Sequence, residues 1–203
     1  MTQTAGRPTH AEASRALLRD SILDAVGDLL ADETWNGVTM SEVATAAGVS
    51  RQTVYNTFGG RDELAQAYLL RESDRFLAAI DEAIRANAGD AREALRSAAG
   101  LFLSLAASHP MIRAVSSGDN DDLVALATTR GGLLLTTMTA RLADRIERTW
   151  PGVDPAGASL LSENLVRLAI SYAVLPSDTP EQTAEQLTKV LGPYIDQLVE
   201  RIE

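Results

Sequence analysis

The stretch Val38–Phe58, VTMSEVATAAGVSRQTVYNTF, constrains the chain more than any other segment. Its pattern predicts two short helices joined by a tight turn. Thr39 is placed to cap the first and Ser50 the second, because a side-chain oxygen there accepts an otherwise unpaired backbone N–H. Gly48 ends the first helix, where a left-handed residue is needed and glycine adopts it without a Cβ clash. Val43, Ala44 and Ala47 can then meet Val54 and Phe58, and Ala44 is small enough to let the two axes approach. Two helices so arranged form a helix-turn-helix, whose second helix enters a DNA major groove.

The second helix has two unlike faces. At about 100° per residue, Val54 and Phe58 point the same way, into the domain. The outward face centres on Gln52, Thr53 and Asn56, with Arg51, Tyr55 and Thr57 on its flanks. Each of these side chains can hydrogen-bond, and none is acidic. Gln and Asn match the donor–acceptor edge of adenine, and Arg matches that of guanine. A merely solvated polar helix is the competing reading of the same residues.

GVSRQTVYNTFGGRDEL resembles the recognition segment of the TetR family of bacterial transcriptional regulators. The family pattern is matched at Val38, Thr39, Val43, Ala44, Ala47, Gly48, Val49, Ser50, Thr53, Val54, Tyr55, Phe58 and Arg61. It is broken at Thr57, where the family usually carries His or Tyr; threonine reaches less far and cannot stack. The motif resemblance covers about residues 11 to 70. It implies a DNA-contacting set of Thr39, Ser50, Arg51, Gln52, Thr53, Tyr55, Asn56, Thr57 and Arg61. Within that set Tyr55, Thr57 and Arg61 would position the helix on phosphates, while Gln52 and Asn56 read bases.

Charge is unevenly distributed. The net charge is -10, yet residues 1–61 hold five arginines against seven acids. The remainder holds 13 bases against 21 acids. The DNA-reading end is therefore close to neutral, and Arg15, Arg19, Arg51 and Arg61 could form a local basic footprint. An acidic body lowers non-specific affinity for nucleic acid. Cysteine is absent, so no disulfide framework or thiolate site is available. The first residues lack the apolar core of a signal peptide. The longest apolar run, near Ala98–Ala107, falls short of the roughly 20 residues that span a bilayer. A cytoplasmic location without membrane contact is expected.

Periodicity predicts an all-α chain. A first helix over about Ala11–Ala31 carries an inward stripe of Leu18, Ile22, Val26 and Leu29, followed by a loop with Trp35 packed beneath the domain. A long helix follows the Gly59-Gly60 break and reaches about Ala86, with Leu64, Tyr68, Phe76, Ile80 and Ile84 at helical spacing. Further helices are expected over Asp90–Ser108, Pro110–Ser116, Asp121–Trp150, Asp154–Leu175 and Pro180–Ile202, with Pro193 bending the last. The organisation expected is a three-helix DNA-binding domain over residues 1–60, with 1–10 as a disordered arm. A helical effector-binding and dimerisation domain takes residues 61–203.

The last two helices carry broad apolar surfaces, at Leu161, Leu165, Leu168 and Tyr172, and at Leu187, Val190, Leu191, Tyr194, Ile195, Leu198 and Ile202. Part of each packs within the chain. The resemblance implies that the remainder meets a twofold copy, and a palindromic double-stranded operator needs two reading heads. The middle helices supply Phe102, Leu105, Met111, Val115, Leu126, Leu134, Met138 and Leu142, and the penultimate helix Leu161, Asn164, Leu165, Leu168 and Tyr172. A closed core fits these residues as well as a pocket does. The resemblance implies a pocket for a small apolar effector whose binding releases the operator from a repressor. No cofactor or metal is called for, and no catalytic motif is present; His109, before Pro110, reads as structural. The competing class is a helical small-molecule-binding protein that no longer binds DNA.

Overall fold

A computed structural model describes residues 9–110, 112–113 and 132–200. Among the described residues there are eight helices and no strand: α1 His10–Asp32, α2 Met40–Ala46, α3 Arg51–Phe58, α4 Arg61–Ala86, α5 Ala91–Ser108, α6 Gly132–Thr149, α7 Pro155–Val174 and α8 Pro180–Glu200. The chain forms two compact units, residues 1–68 and 69–203, and the division falls within α4. The expected helix over Pro110–Ser116 and the first part of Asp121–Trp150 lie largely outside the described residues.

In the first unit, local chemistry sets each helix boundary. Thr9 and Glu12 form a capping box at α1, and Thr39 and Glu42 form another at α2, each satisfying two backbone donors reciprocally. His10 therefore opens α1 rather than lying in the arm. Ser50 Oγ accepts the Thr53 N–H at 3.0 Å and starts α3. Gly48 has φ +67° and Gly59 has φ +95°, so the turns on either side of α3 use conformations that other residues rarely adopt. Ile22 and Val26 of α1 are fully buried, with Leu23 and Leu30 beside them; Leu18 and Leu29, expected inward, are half-buried. The buried face thus keeps Ile22 and Val26 and adds Leu23, Ala25 and Leu30, because apolar residues occur on more than one side of α1. Trp35, Val38, Val43, Val54, Leu64 and Tyr68 complete the core.

In the second unit, α8 lies along α5 and α6 along α7, with α5 and α8 also touching α7. Leu95, Ile146, Ala158, Leu161, Ile195 and Leu198 of these four helices form one core cluster with Val153 of the α6–α7 turn. A second joins Leu77, Ile80 and Ile84 of α4 to Ala98 of α5, with Phe102, Met138 and Trp150 against it. Arg92 donates from Nε to both carboxylate oxygens of Asp196 at 2.9 Å, pinning α5 to α8. Arg141 pairs with Asp74 and Arg145 with Asp81, tying α6 to α4. α8 continues through Pro193 to Glu200. None of the described helices is long and apolar enough to cross a membrane.

Two glycines test this packing in opposite directions. At Gly157 an added Cβ would overlap Leu198 Cδ1 and lie 3.3 Å from Tyr194 Oη, whereas at Gly100 it would meet only Ala184 Cβ at 3.7 Å. Gly157→Ala is expected to destabilise by about 1–3 kcal/mol through overpacking. Gly100→Ala, in the interior of α5, is expected to stabilise by about 0.5–1 kcal/mol. Urea unfolding of the two variants against the parent measures both.

Candidate nucleic-acid interface and ligand cavity

The burial of Val54 and Phe58 fixes which side of α3 faces out. Val54 is fully buried and Phe58 is 8% exposed, while Arg51, Gln52 and Asn56 are exposed and Thr53, Tyr55 and Thr57 half-buried. The expected outer face is therefore assembled as one surface. Its side chains are paired with one another. Gln52 Nε2 donates to Asn56 Oδ1 at 2.9 Å, and Arg51 Nη2 donates to Tyr55 Oη at 3.3 Å. Both pairs sit one turn apart, so each pre-orders a side chain that could otherwise sample several rotamers. The Ser50 hydroxyl bonds to that of Thr53 at 2.8 Å, and Thr39 is engaged in its capping box. These hydroxyls hold the helix starts, whatever else they touch.

Two members of the expected set already have hydrogen-bond partners within the domain. Thr57 Oγ1 donates to the Thr53 carbonyl at 2.7 Å, which occupies its only proton. Arg61 Nε donates to the Val38 carbonyl at 3.2 Å, its Nη2 donates to the Trp35 carbonyl, and its guanidinium lies 4.7 Å from the Trp35 ring centroid. Arg61 thereby fastens the first turn of α4 to the loop before α2. Arg19 likewise lies over the Phe58 ring at 4.6 Å. Sequence spacing cannot show these engagements, because Trp35 and Val38 stand more than twenty residues from Arg61.

The second unit encloses a cavity of about 180 Å³ lined from α4, α5, α6, α7 and α8. Of the expected residues, Phe102, Leu134, Met138, Leu142, Leu161 and Leu165 line it. Met111, Val115 and Leu126 lie outside the described residues. Leu105, Asn164, Leu168 and Tyr172 are not among its described lining residues. Asn164 is exposed and donates to the Leu160 carbonyl one turn back. α7 is apolar on most of its circumference, so spacing alone could not say which side meets the cavity.

Sequence reasoning also missed the polar part of the lining, Glu72, Ser73 and His109. Glu72 Oε1 takes Arg75 Nη1 at 2.9 Å and Arg71 Nη2 at 3.2 Å, while Oε2 accepts from His109 Nε2 at 3.3 Å. Burial pushes the Glu72 carboxyl up, but the His109 hydrogen bond and the charges of Arg75 and Arg71 together outweigh it and hold the group below its ordinary value. The carboxylate is therefore ionised at neutral pH. His109 packs edge-on against Phe76, and Phe76 against Phe102. One sequence signal was available. The row Leu64, Tyr68, Phe76, Ile80, Ile84 advances by four with a single gap, and Glu72 fills it. Among the described residues no group of acids and histidines could hold a metal ion.

The chain matches two family models: "Bacterial regulatory proteins, tetR family" over residues 22–68, and "Bacterial Tetracyclin repressor, C-terminal domain" over residues 90–193. It is 40% identical over 191 residues to the HTH-type transcriptional regulator AlkX of Mycobacterium tuberculosis, covering 94% of this chain and 90% of that protein. It is 38% identical to the crystal structure of the TetR family repressor AlkX from Dietzia, implicated in biodegradation of n-alkanes, with a TM-score of 0.81 over 89% of this chain and 96% of that one. A TetR-family regulator from Streptomyces coelicolor shares the fold at 21% identity, with a TM-score of 0.59 over 92% of this chain and 88% of that one.

The inward position of Arg61 gives an expectation opposite to that for a phosphate contact. Arg61→Ala should destabilise the protein by about 1–3 kcal/mol, because two carbonyls lose a charged donor. The slope of log K against log salt for DNA binding should stay unchanged. A slope reduced by about one unit, with stability intact, would instead return Arg61 to the phosphate set.

Proposed function

The chain belongs to the TetR family of bacterial DNA-binding transcriptional regulators, and we propose that it is a homodimeric repressor released from a palindromic operator by a small, elongated apolar ligand. The observation that carries this reading is the presence in one chain of an acid-free, hydrogen-bonding face on α3 and an almost wholly apolar cavity in the helical bundle. Gln52 and Asn56 read base edges and Arg51 and Tyr55 support them, while Arg61 holds the start of α4 to the reader core. It acts in the cytoplasm, where the DNA is, and carries out no catalysis.

The chemistry of the cavity selects the ligand class. Leucine, isoleucine, alanine and phenylalanine dominate a wall that follows α4 from Leu69 to Ile84. At 1.5 Å rise per residue that wall extends about 22 Å, which suits a linear aliphatic chain better than a compact polycyclic one. The similarity to a repressor implicated in n-alkane biodegradation supports the same class.

Dimerisation uses the outer sides of α7 and α8. Leu160, Leu175 and Val190 are 54%, 73% and 74% exposed, whereas Leu161, Leu187, Ile195 and Leu198 of the same region are buried within the chain. A twofold pair places two copies of α3 about 34–36 Å apart, one turn of DNA. Ligand binding alters that spacing through α4, which supplies Tyr68 to the reader and Leu69–Ile84 to the cavity.

Gel-shift with the DNA upstream of the chain's own gene, with and without a straight-chain aliphatic ligand, tests the whole reading. Ligand binding without any DNA shift would favour the class that has lost DNA binding, to which the inward-bonded Thr57 hydroxyl lends support. Gln52→Ala and Asn56→Ala should each cost about 1–3 kcal/mol on the cognate site and relax base preference there. Equal weakening on scrambled DNA would show that neither reads bases. Val190→Asp should yield a folded monomer in sedimentation, while Leu198→Asp should fail to fold.

A further inference from the structure

Among the described residues, the polar region of the cavity wall is Glu72 with Ser73 and His109, and it has no part in the reading above. We infer that these three side chains form a subsite for a neutral hydrogen-bond-donating head group, so that the effector is a hydroxyl-terminated aliphatic chain rather than a bare hydrocarbon or a carboxylate. The inference rests on the proposal that the cavity binds an apolar ligand, and it names the class.

The donor–acceptor inventory of the subsite leads to this choice. Both arginines are bound to Glu72 Oε1, and Oε2 accepts only from His109 Nε2, at 3.3 Å. An ionised carboxylate oxygen accepts more than one hydrogen bond, so Oε2 keeps capacity for another donor. Ser73 Oγ donates its proton to the Leu69 carbonyl at 2.7 Å, which leaves that oxygen as an acceptor too. Trp150 also lines the cavity, but its indole N–H is spent on the Ala88 carbonyl at 2.8 Å. Among the described residues, Glu72 Oε2 and Ser73 Oγ therefore present acceptors to the cavity.

Each head group then fares differently. A hydroxyl donates to Oε2 or to Ser73 Oγ and gains a bond to a charged acceptor. A hydrocarbon end leaves these acceptors covered and unpaired, which costs free energy. A carboxylate brings acceptors to acceptors and sets a second negative charge beside Glu72. An ammonium supplies donors, but it would be desolvated beside the Arg71 and Arg75 cations that already share this carboxylate.

Calorimetric titration of the full-length protein with a straight-chain alkanol, alkane, alkanoate and alkylamine of equal carbon number tests the ranking. The alkanol should bind about tenfold or more tightly than the other three. Glu72→Gln, which keeps the shape and removes the charge, should bring the alkanoate within about threefold of the alkanol, since the like-charge penalty is gone. Ser73→Ala should leave the preference in place at reduced size. An alkanoate or alkane binding wild-type protein as tightly as the alkanol would overturn the inference while sparing the apolar-ligand reading. Failure of all four to bind would end both. If Glu72→Gln does not fold, the wild-type ranking decides alone.

Discussion

Burial of Val54 and Phe58 beneath α3 is the contact on which the DNA-reading face depends. A helix of eight residues has little stability of its own, so its orientation must come from packing. Two large apolar side chains one turn apart remove rotation about the helix axis. Gln52 and Asn56 are then outward by geometry, and their mutual hydrogen bond narrows the rotamers they present. The supports beneath are of the same kind. Trp35 is buried at 2% exposure, Arg61 closes over it, and Arg19 closes over Phe58. Cationic side chains at the reading end thus serve first as covers for aromatic rings, which explains how a near-neutral unit can spare so few charges for phosphates.

The second unit poses the opposite problem. Its cavity is apolar, and burying a carboxylate in such surroundings is costly unless every part of it is paired. Glu72 is held by three basic neighbours from two elements, and their combined effect exceeds the desolvation that opposes it. Replacing Glu72 alone would take from Arg71, Arg75 and His109 the carboxylate they share, so the acid also serves the structure.

Much of the reader was legible in the sequence because its determinants are local. Thr39, Gly48 and Ser50 act within three or four residues of the atoms they satisfy, and the 3.6-residue period separates Val54 and Phe58 from Gln52 and Asn56. The all-α character and most helix boundaries followed from proline, glycine and capping residues in the same way. The cavity was legible only in part. Phe102, Met138 and Leu165 line it, yet Leu105 and Leu168, with equal spacing and hydrophobicity, do not. A cavity is defined by which faces of five helices converge, and that is a tertiary property. Glu72 and His109 stand 37 residues apart. Nothing at either position alone announces the pair, apart from the acid interrupting an apolar row.

Whether binding in the bundle can reach the reader depends on what lies along α4. Its 26 residues contain no proline and no glycine, the usual causes of a kink. The nearest conformational break is Gly59-Gly60, just before α4, where Gly59 takes φ +95°. Left alone, that break would uncouple α4 from α3. Arg61 offsets it by bonding the first turn of α4 to the Trp35 and Val38 carbonyls, so that the start of α4 moves with the core on which α3 is seated. On the proposed reading, an effector would shift DNA affinity only by binding one conformation of the protein better than another. Glu72, sitting on α4 itself and facing the cavity, is where a head group would create that difference.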